Sequence, residues 1–198
     1  MDSVILDTAK NAFAIETDCL ADAFAAIDPE QFCTAVELLA TAPRIAASGC
    51  GHSGIACRHF AHLMCCIERP ARFLSPAEAV HGATGFLQEG DVLLLVSRGG
   101  KTAELLPILD IAKRKGAKII AVTENLSSPL AQGADAVLRM YVTRETDRYN
   151  CQGTTSFTET AAIFHALQAA LIERTGYQNE QFALIHPAGA VGERLNHK

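Results

Sequence analysis

Two glycine-bearing loops hold the residues best suited to chemistry. The first, ASGCGHSG at 47–54, spaces Gly49, Gly51 and Gly54 as G-x-G-x-x-G after an apolar run, with His52 and Ser53 between them. The second, SRGGKTAE at 97–104, sets Ser97, Arg98, Gly99, Gly100, Lys101 and Thr102 at the end of another apolar run. Glycines let a backbone turn tightly and present its amides, and short hydroxyls add further donors, so such loops suit a phosphate or another oxyanion. Tight turning alone would account for the glycines but not for the hydroxyls of Ser53, Ser97 and Thr102.

Neither loop completes a nucleotide signature. A dinucleotide fold needs an acid at the tip of its second strand, about twenty residues beyond the glycines. The strand RFLS instead ends in Ser75 and Pro76, and Glu78 lies too far into the next segment. A Walker loop ending in this GKT would need its first glycine where Leu95 stands, inside a strand. No cofactor is therefore expected, and a small phosphorylated ligand is. No metal is expected either: Cys57, His59, His62 and Cys65 fall on successive turns of one helix, but CxxC and HxxxH spacings are absent. His59, His62 and His165 read as structural or surface residues.

The elements that must position these loops follow from apolar patterning. Residues 4–41 have helical spacing with a break at Asp28 and Pro29. Strands are expected at 44–49, 72–75, 91–97, 118–123 and from Ala136, each separated from the next by helix-length sequence. Continuously apolar strands belong to a sheet covered on both faces, so the fold class is α/β: a three-layer αβα sandwich with a five-stranded parallel sheet. In the flavodoxin-like order 2-1-3-4-5, both glycine loops leave neighbouring strands at the switch point where ligands bind. The helical stretch 103–116 contains Pro107, which is tolerated only in a first turn. A polar region at 141–153 precedes a long helix, where Thr154 or Thr155 can cap and Glu159 would favour the dipole. A short helix, a Pro/Gly turn and a last helical segment complete the chain.

Whole-chain properties narrow the class. The 198 residues contain no linker-like stretch and read as a single domain, 1–198. A formal net charge of −5 gives no general attraction to nucleic acid or acidic membranes. The N-terminal stretch lacks a signal-peptide pattern and no apolar run is long enough to span a bilayer, so a cytoplasmic location is expected. Seven irregularly spaced cysteines in apolar stretches suit small reduced core residues rather than a disulfide set.

The ordered combination SGCGHSG, EAVHGATG, DVLLLVSRGGKTAE, TTSFTET and FALIHPAGAVGERL resembles the SIS (sugar isomerase) phosphosugar-binding domain. More narrowly it is similar to the isomerase domain of D-arabinose-5-phosphate isomerases, which interconvert that sugar with D-ribulose 5-phosphate. The resemblance implies a five-stranded parallel sheet, a phosphate held by the loop after the third strand, and homo-oligomers, dimer or tetramer, with sites near subunit interfaces. It places Ser53, Ser97 and Thr102 on the sugar phosphate, with Gly51, Gly99, Gly100 and Thr154 lining the same site. It assigns catalytic positions to His81, Glu104, Glu145 and His186, and a position of the first loop, commonly lysine, to His52. The phosphate loop departs from the usual SxSGE, and Arg98 and Lys101 are candidates to supply charge-assisted contacts instead. Many such isomerases also carry a pair of CBS domains, which these 198 residues do not contain.

Aldose–ketose isomerisation opens a ring and moves a proton between adjacent carbons through an enediolate. A carboxylate, Glu104 or Glu145, can carry the carbon-bound proton, and His81 and His186 can serve ring opening. Singly, each of the four also has a structural reading as a helix-end, loop, turn or cap residue. A non-catalytic phosphosugar sensor and a hexulose-6-phosphate isomerase are the alternative functions. Because a histidine replaces a permanent charge at position 52, activity is expected to vary with pH near neutrality more steeply than in a lysine-bearing relative. A rate that stays flat from about pH 6 to 8 would rule this out.

Overall fold

The computed structural model describes residues 2–196. Helices α1 (Asp2–Ala26) and α2 (Pro29–Thr41) are separated where Asp28 accepts the backbone N–H groups of Glu30 and Gln31 and Pro29 opens the second helix. There follow β1 (Ile45–Gly49), α3 (Gly51–Cys65), β2 (Ala71–Phe73), the single turn α4 (Pro76–Ala79) and a 3-10 turn (Ala83–Phe86). Then come β3 (Val92–Val96), α5 (Leu106–Arg114), β4 (Lys118–Thr123), the short α6 (Pro129–Gln132) and β5 (Ala136–Arg139). The chain continues through α7 (Thr155–Thr175), α8 (Asn179–Ile185) and α9 (Gly189–Asn196).

All five strands are parallel, in the order β2-β1-β3-β4-β5. β1 and β3 are buried along their whole lengths, which is why their sequences show no polar alternation. Successive residues of β3 serve opposite cores. Val92, Leu94 and Val96 pack with Leu39, Phe60, Met64 and Phe164 from α2, α3 and α7. Leu93 and Leu95 pack with Leu105, Ile108, Leu109 and Leu130 from the α5–α6 side. The register sets Ile45 beside Val92 and Gly49 beside Val96, so the two glycine loops leave the sheet side by side at the expected switch point.

Several boundaries differ from the sequence reading for identifiable reasons. α5 begins at Leu106, not at the end of the glycine loop, and this puts Pro107 in its first turn, where its missing N–H costs nothing. β5 stops at Arg139, although Met140 and Val142 stay buried in the core after leaving the sheet. The seven cysteines are all free, but only Cys19 and Cys57 are fully buried; Cys33, Cys65 and Cys151 are exposed.

The fingerprint glycines serve packing. A Cβ on Gly54 would lie 2.6 Å from the Gly49 carbonyl oxygen, so only hydrogen at 54 lets α3 start this close to β1. Gly51 differs: it has φ +54° and open space around it. Gly54→Ala is expected to cost about 2–4 kcal/mol because backbone must move, and Gly51→Ala about 1 kcal/mol from conformation alone. Equilibrium unfolding in denaturant checks both, and equal costs would contradict the distinction.

Candidate functional site

The loop after β3 is a preformed cradle. Ser97 Oγ lies 2.7 Å from Thr102 Oγ1 and accepts the Gly100 N–H at 3.1 Å. Gly100 has φ +66°, and any Cβ there would overlap the Ser128 side chain, which itself caps α6 by accepting the Ala131 N–H. Gly99 has nothing within contact distance of its Cβ position, so that side of the turn is open. Because α5 starts four residues past Thr102, the cradle offers loop amides and hydroxyls without the helix N-terminus that the sequence suggested.

Arg98 has a different place from the one expected. Its guanidinium, instead of facing the cradle free for phosphate, donates to Glu124 at 2.8 Å, to Glu145 at 2.9 Å and to the Val142 carbonyl at 3.3 Å. Glu145 is 1% exposed, and its second carboxylate oxygen accepts the Thr154 hydroxyl at 3.3 Å and the Ser156 N–H at 3.2 Å. Thr154 is thus tied to Glu145 and Thr146 and makes no side-chain cap on α7. The preceding turn is held by Asp147: burial acts to raise its pKa, but N–H donors from Gln152, Cys151 and Tyr149 outweigh that and hold the carboxyl below its usual range.

On the β1 side, a cleft of about 550 Å³ is lined by Cys50, Gly51, Arg58, Phe73, Val80 and Glu104 among others. Glu104 is exposed here, and burial together with its charge pushes the Cys50 thiol pKa up. Arg58 lies 4.0 Å over the Phe73 ring, a cation in the cleft that the sequence reading passed over. Its only signal was a basic residue one turn beyond Gly54. His52 lines a neighbouring hollow with Thr154, Phe157 and Glu16, and Ile55 borders both spaces. A ring nitrogen of His52, Nδ1, sits 2.9 Å from the Gly153 carbonyl, joining the first loop to the turn before α7.

The two remaining histidines lie on other elements. His81 is exposed in the turn after α4, next to the cleft residue Val80. His186 ends α8 with its ring 5.0 Å from Phe182, and its buried Nδ1 has no partner. Gln181 of α8 bonds Glu68, just past the C-terminal end of α3, which anchors α8 near the N-terminal ends of the strands, the opposite end of the sheet from the cradle.

Among the described residues no helix is long and apolar enough to cross a membrane. A parallel sheet with a hydroxyl-bearing glycine loop and acidic groups at its switch point defines a ligand-binding type of α/β protein. The family model described as the SIS domain matches residues 38–170, and the chain belongs to that family. It is 37% identical over 191 residues to the arabinose 5-phosphate isomerase KdsD of Pseudomonas aeruginosa, covering 96% of this chain and 58% of that protein. It is 34% identical over 196 residues to the arabinose 5-phosphate isomerase KpsF of Escherichia coli, covering 98% and 60%. The chain therefore spans about three fifths of these relatives. Among solved structures, a Listeria monocytogenes protein described as a candidate sugar-phosphate isomerase matches with TM-score 0.92 and 38% identity over 95% of this chain and 99% of that one. An E. coli CFT073 protein in complex with arabinose 5-phosphate matches with TM-score 0.88 and 27% identity over 94% and 100%.

Glu159 lies in the first turns of α7 as expected, but it is fully buried; one oxygen accepts the Tyr141 N–H at 2.5 Å and the other has no partner among the described residues. Its pKa is raised to about 7, chiefly by burial, with the charges of Glu124 and Glu145 acting in the same direction and the Tyr141 N–H and Arg98 opposing. Between about pH 4.5 and 7 the folded protein then binds more protons than the unfolded chain, so stability falls as pH rises through that window and levels off above it. Glu159→Gln is expected to stabilise by about 2 kcal/mol at pH 8 and to change little at pH 4.5. Thermal melts of both proteins across that range test it; a pH-independent difference would show that Glu159 does not titrate there.

Proposed function

We propose that the chain is an aldose–ketose isomerase of sugar phosphates that interconverts D-arabinose 5-phosphate and D-ribulose 5-phosphate. The observation that carries this reading is the meeting, at one switch point, of the hydroxyl cradle of Ser97 and Thr102 with a cleft holding the unpaired carboxylate of Glu104. Relatives at 34–37% identity that are named arabinose 5-phosphate isomerases support the choice of sugar.

In this mechanism the phosphate sits on the loop amides of Gly99 and Gly100 and the hydroxyls of Ser97, Thr102 and Ser53, with Gly51 supplying the positive-φ turn of the first loop. Glu104 takes the proton from carbon 2 of the open aldose, leaving the enediolate, and returns it to carbon 1 while a hydroxyl proton passes between the two oxygens. Glu145 is fixed by Arg98, Thr154 and Ser156 and sets the electrostatics and the position of the 145–154 turn. His52, beside that turn, faces the sugar oxygens. His81 and His186 perform ring opening, with His186 supplied by a second copy, since α8 is anchored at the end of its own sheet opposite the cradle. Exposed apolar residues on α1 (Val4, Ile5, Leu6, Phe13) and α8 (Leu184) support such a homo-oligomer. The reading needs no cofactor, metal, nucleic acid or membrane, and has the SIS domain matched at residues 38–170 act in the cytoplasm.

The test is turnover of both pentose phosphates in both directions, with thermal-shift binding of the same sugars and of hexulose 6-phosphates. Interconversion is expected, and Glu104→Gln and Glu145→Gln should each lower kcat at least a hundredfold while leaving binding within a few fold. Stabilisation by the pentose phosphates without turnover would replace this reading with a phosphosugar sensor, and turnover of the six-carbon sugars alone would reassign the substrate.

A further inference from the structure

The seam between α3 and α7 carries a pair of histidines that the site does not use. His59 and His165, 106 residues apart in sequence, point their Nε2 atoms at each other across 2.9 Å, with the rings perpendicular and 5.2 Å between centroids. At least one of these nitrogens presents a lone pair to the other, and both do so once the shared proton leaves. A divalent transition metal bound at about 2.0–2.1 Å to two imidazole nitrogens, at a cis angle between square and tetrahedral, holds them about 2.9–3.4 Å apart. The observed separation already lies at the edge of that range.

The pair is also held in place. On the same seam the Phe60 and Phe164 rings lie 4.7 Å apart within the core, and the Gln168 side chain donates to the Leu63 carbonyl at 2.9 Å. These contacts flank the histidines on both helices, so a bound ion would meet ligands whose backbone spacing is set beforehand. His165 is exposed and His59 only partly buried, which leaves the outer coordination positions to water.

We propose that His59 and His165 form a bidentate site for a divalent transition metal such as Ni²⁺, Cu²⁺ or Zn²⁺, completed by water and clamping α3 to α7. Among the described residues no cluster of three or more His, Cys, Asp or Glu side chains could hold a metal, so this is a two-ligand site. Its affinity is correspondingly that of a chelating pair rather than of a closed structural centre. The nearest competing ligands are His62 and Cys66, whose Nε2 and Sγ are 3.6 Å apart further along α3. A metal on the His59–His165 pair joins two helices and must stabilise the fold, whereas one on His62–Cys66 stays within a single helix.

The experiment uses tag-free protein and metal alone, with no chelator. Ni²⁺ is titrated calorimetrically and in thermal melts, and Cu²⁺ is added for electron paramagnetic resonance. One site per chain is expected, with Tm rising about 3–6 °C at a metal concentration tenfold above Kd, and a Cu²⁺ spectrum showing two nitrogen ligands. His165→Gln, at an exposed position, should melt like wild type without metal, lose at least tenfold in affinity and lose the Tm rise; His59→Gln should bind no better. Cys66→Ser should change neither. No one-site binding below about 1 mM, undiminished affinity in His165→Gln, or loss of binding in Cys66→Ser would each overturn the proposal, the last by moving the metal to the His62–Cys66 pair.

Discussion

The guanidinium of Arg98 is the contact on which the site depends. It stands one residue past Ser97, at the mouth of β3, and reaches Glu124 just after β4 and both Glu145 and the Val142 carbonyl beyond β5. One planar cation therefore ties together the ends of three adjacent strands. Its bond to Glu145 is the critical one, because that carboxylate is almost wholly withdrawn from water. A buried carboxylate without its cation costs about 3–5 kcal/mol, so the 142–154 segment keeps its course only while the pair is made. Arginine suits the task because its fork can serve three acceptors in one plane, which a lysine cannot.

From that anchor the rest of the site is assembled by close approach. The absence of a Cβ at Gly54 brings α3 against β1, and the absence of one at Gly100 brings the cradle against Ser128. His52, carried on the first turn of α3, then reaches the Gly153 carbonyl, so the two glycine loops and the turn before α7 become parts of one surface. The surface divides at Ile55 into a cleft holding Glu104 and Arg58 and a hollow holding His52 and Thr154. A small phosphorylated ligand has donors on one side and a carboxylate on the other without any large movement of the sheet.

What one chain leaves over is equally informative. α8 and α9 pack on each other and touch the body through Gln181 and Glu68, while Leu184 is 79% exposed. The tail that bears His186 thus leaves an apolar side chain uncovered within one chain. The α3–α7 seam, by contrast, is closed by aromatic packing and carries the His59–His165 pair, which couples α3, the helix of the first glycine loop, to α7, the helix that follows the 145–154 turn.

Apolar runs at 45–49, 92–96 and 118–123, separated by helical sequence, were enough to determine a parallel sheet covered on both sides, because only such a sheet tolerates strands without polar alternation. The same local chemistry marked a helix break at Asp28 and Pro29 and the two glycine loops as turns at strand ends. Ser97 and Thr102 were legible as hydroxyls of one loop, since only four residues lie between them. The role of Arg98 was not legible, because its acceptors at 124, 142 and 145 come near it only when β3, β4 and β5 align. Nor were the burial of Glu159 or the meeting of His59 with His165, since the pattern of one helix does not reveal which face another helix will cover. Sequence determined the elements through short-range sterics and hydrophobic period; tertiary structure alone decided which charges share a dry space, because electrostatics depends on distances that chain order does not contain.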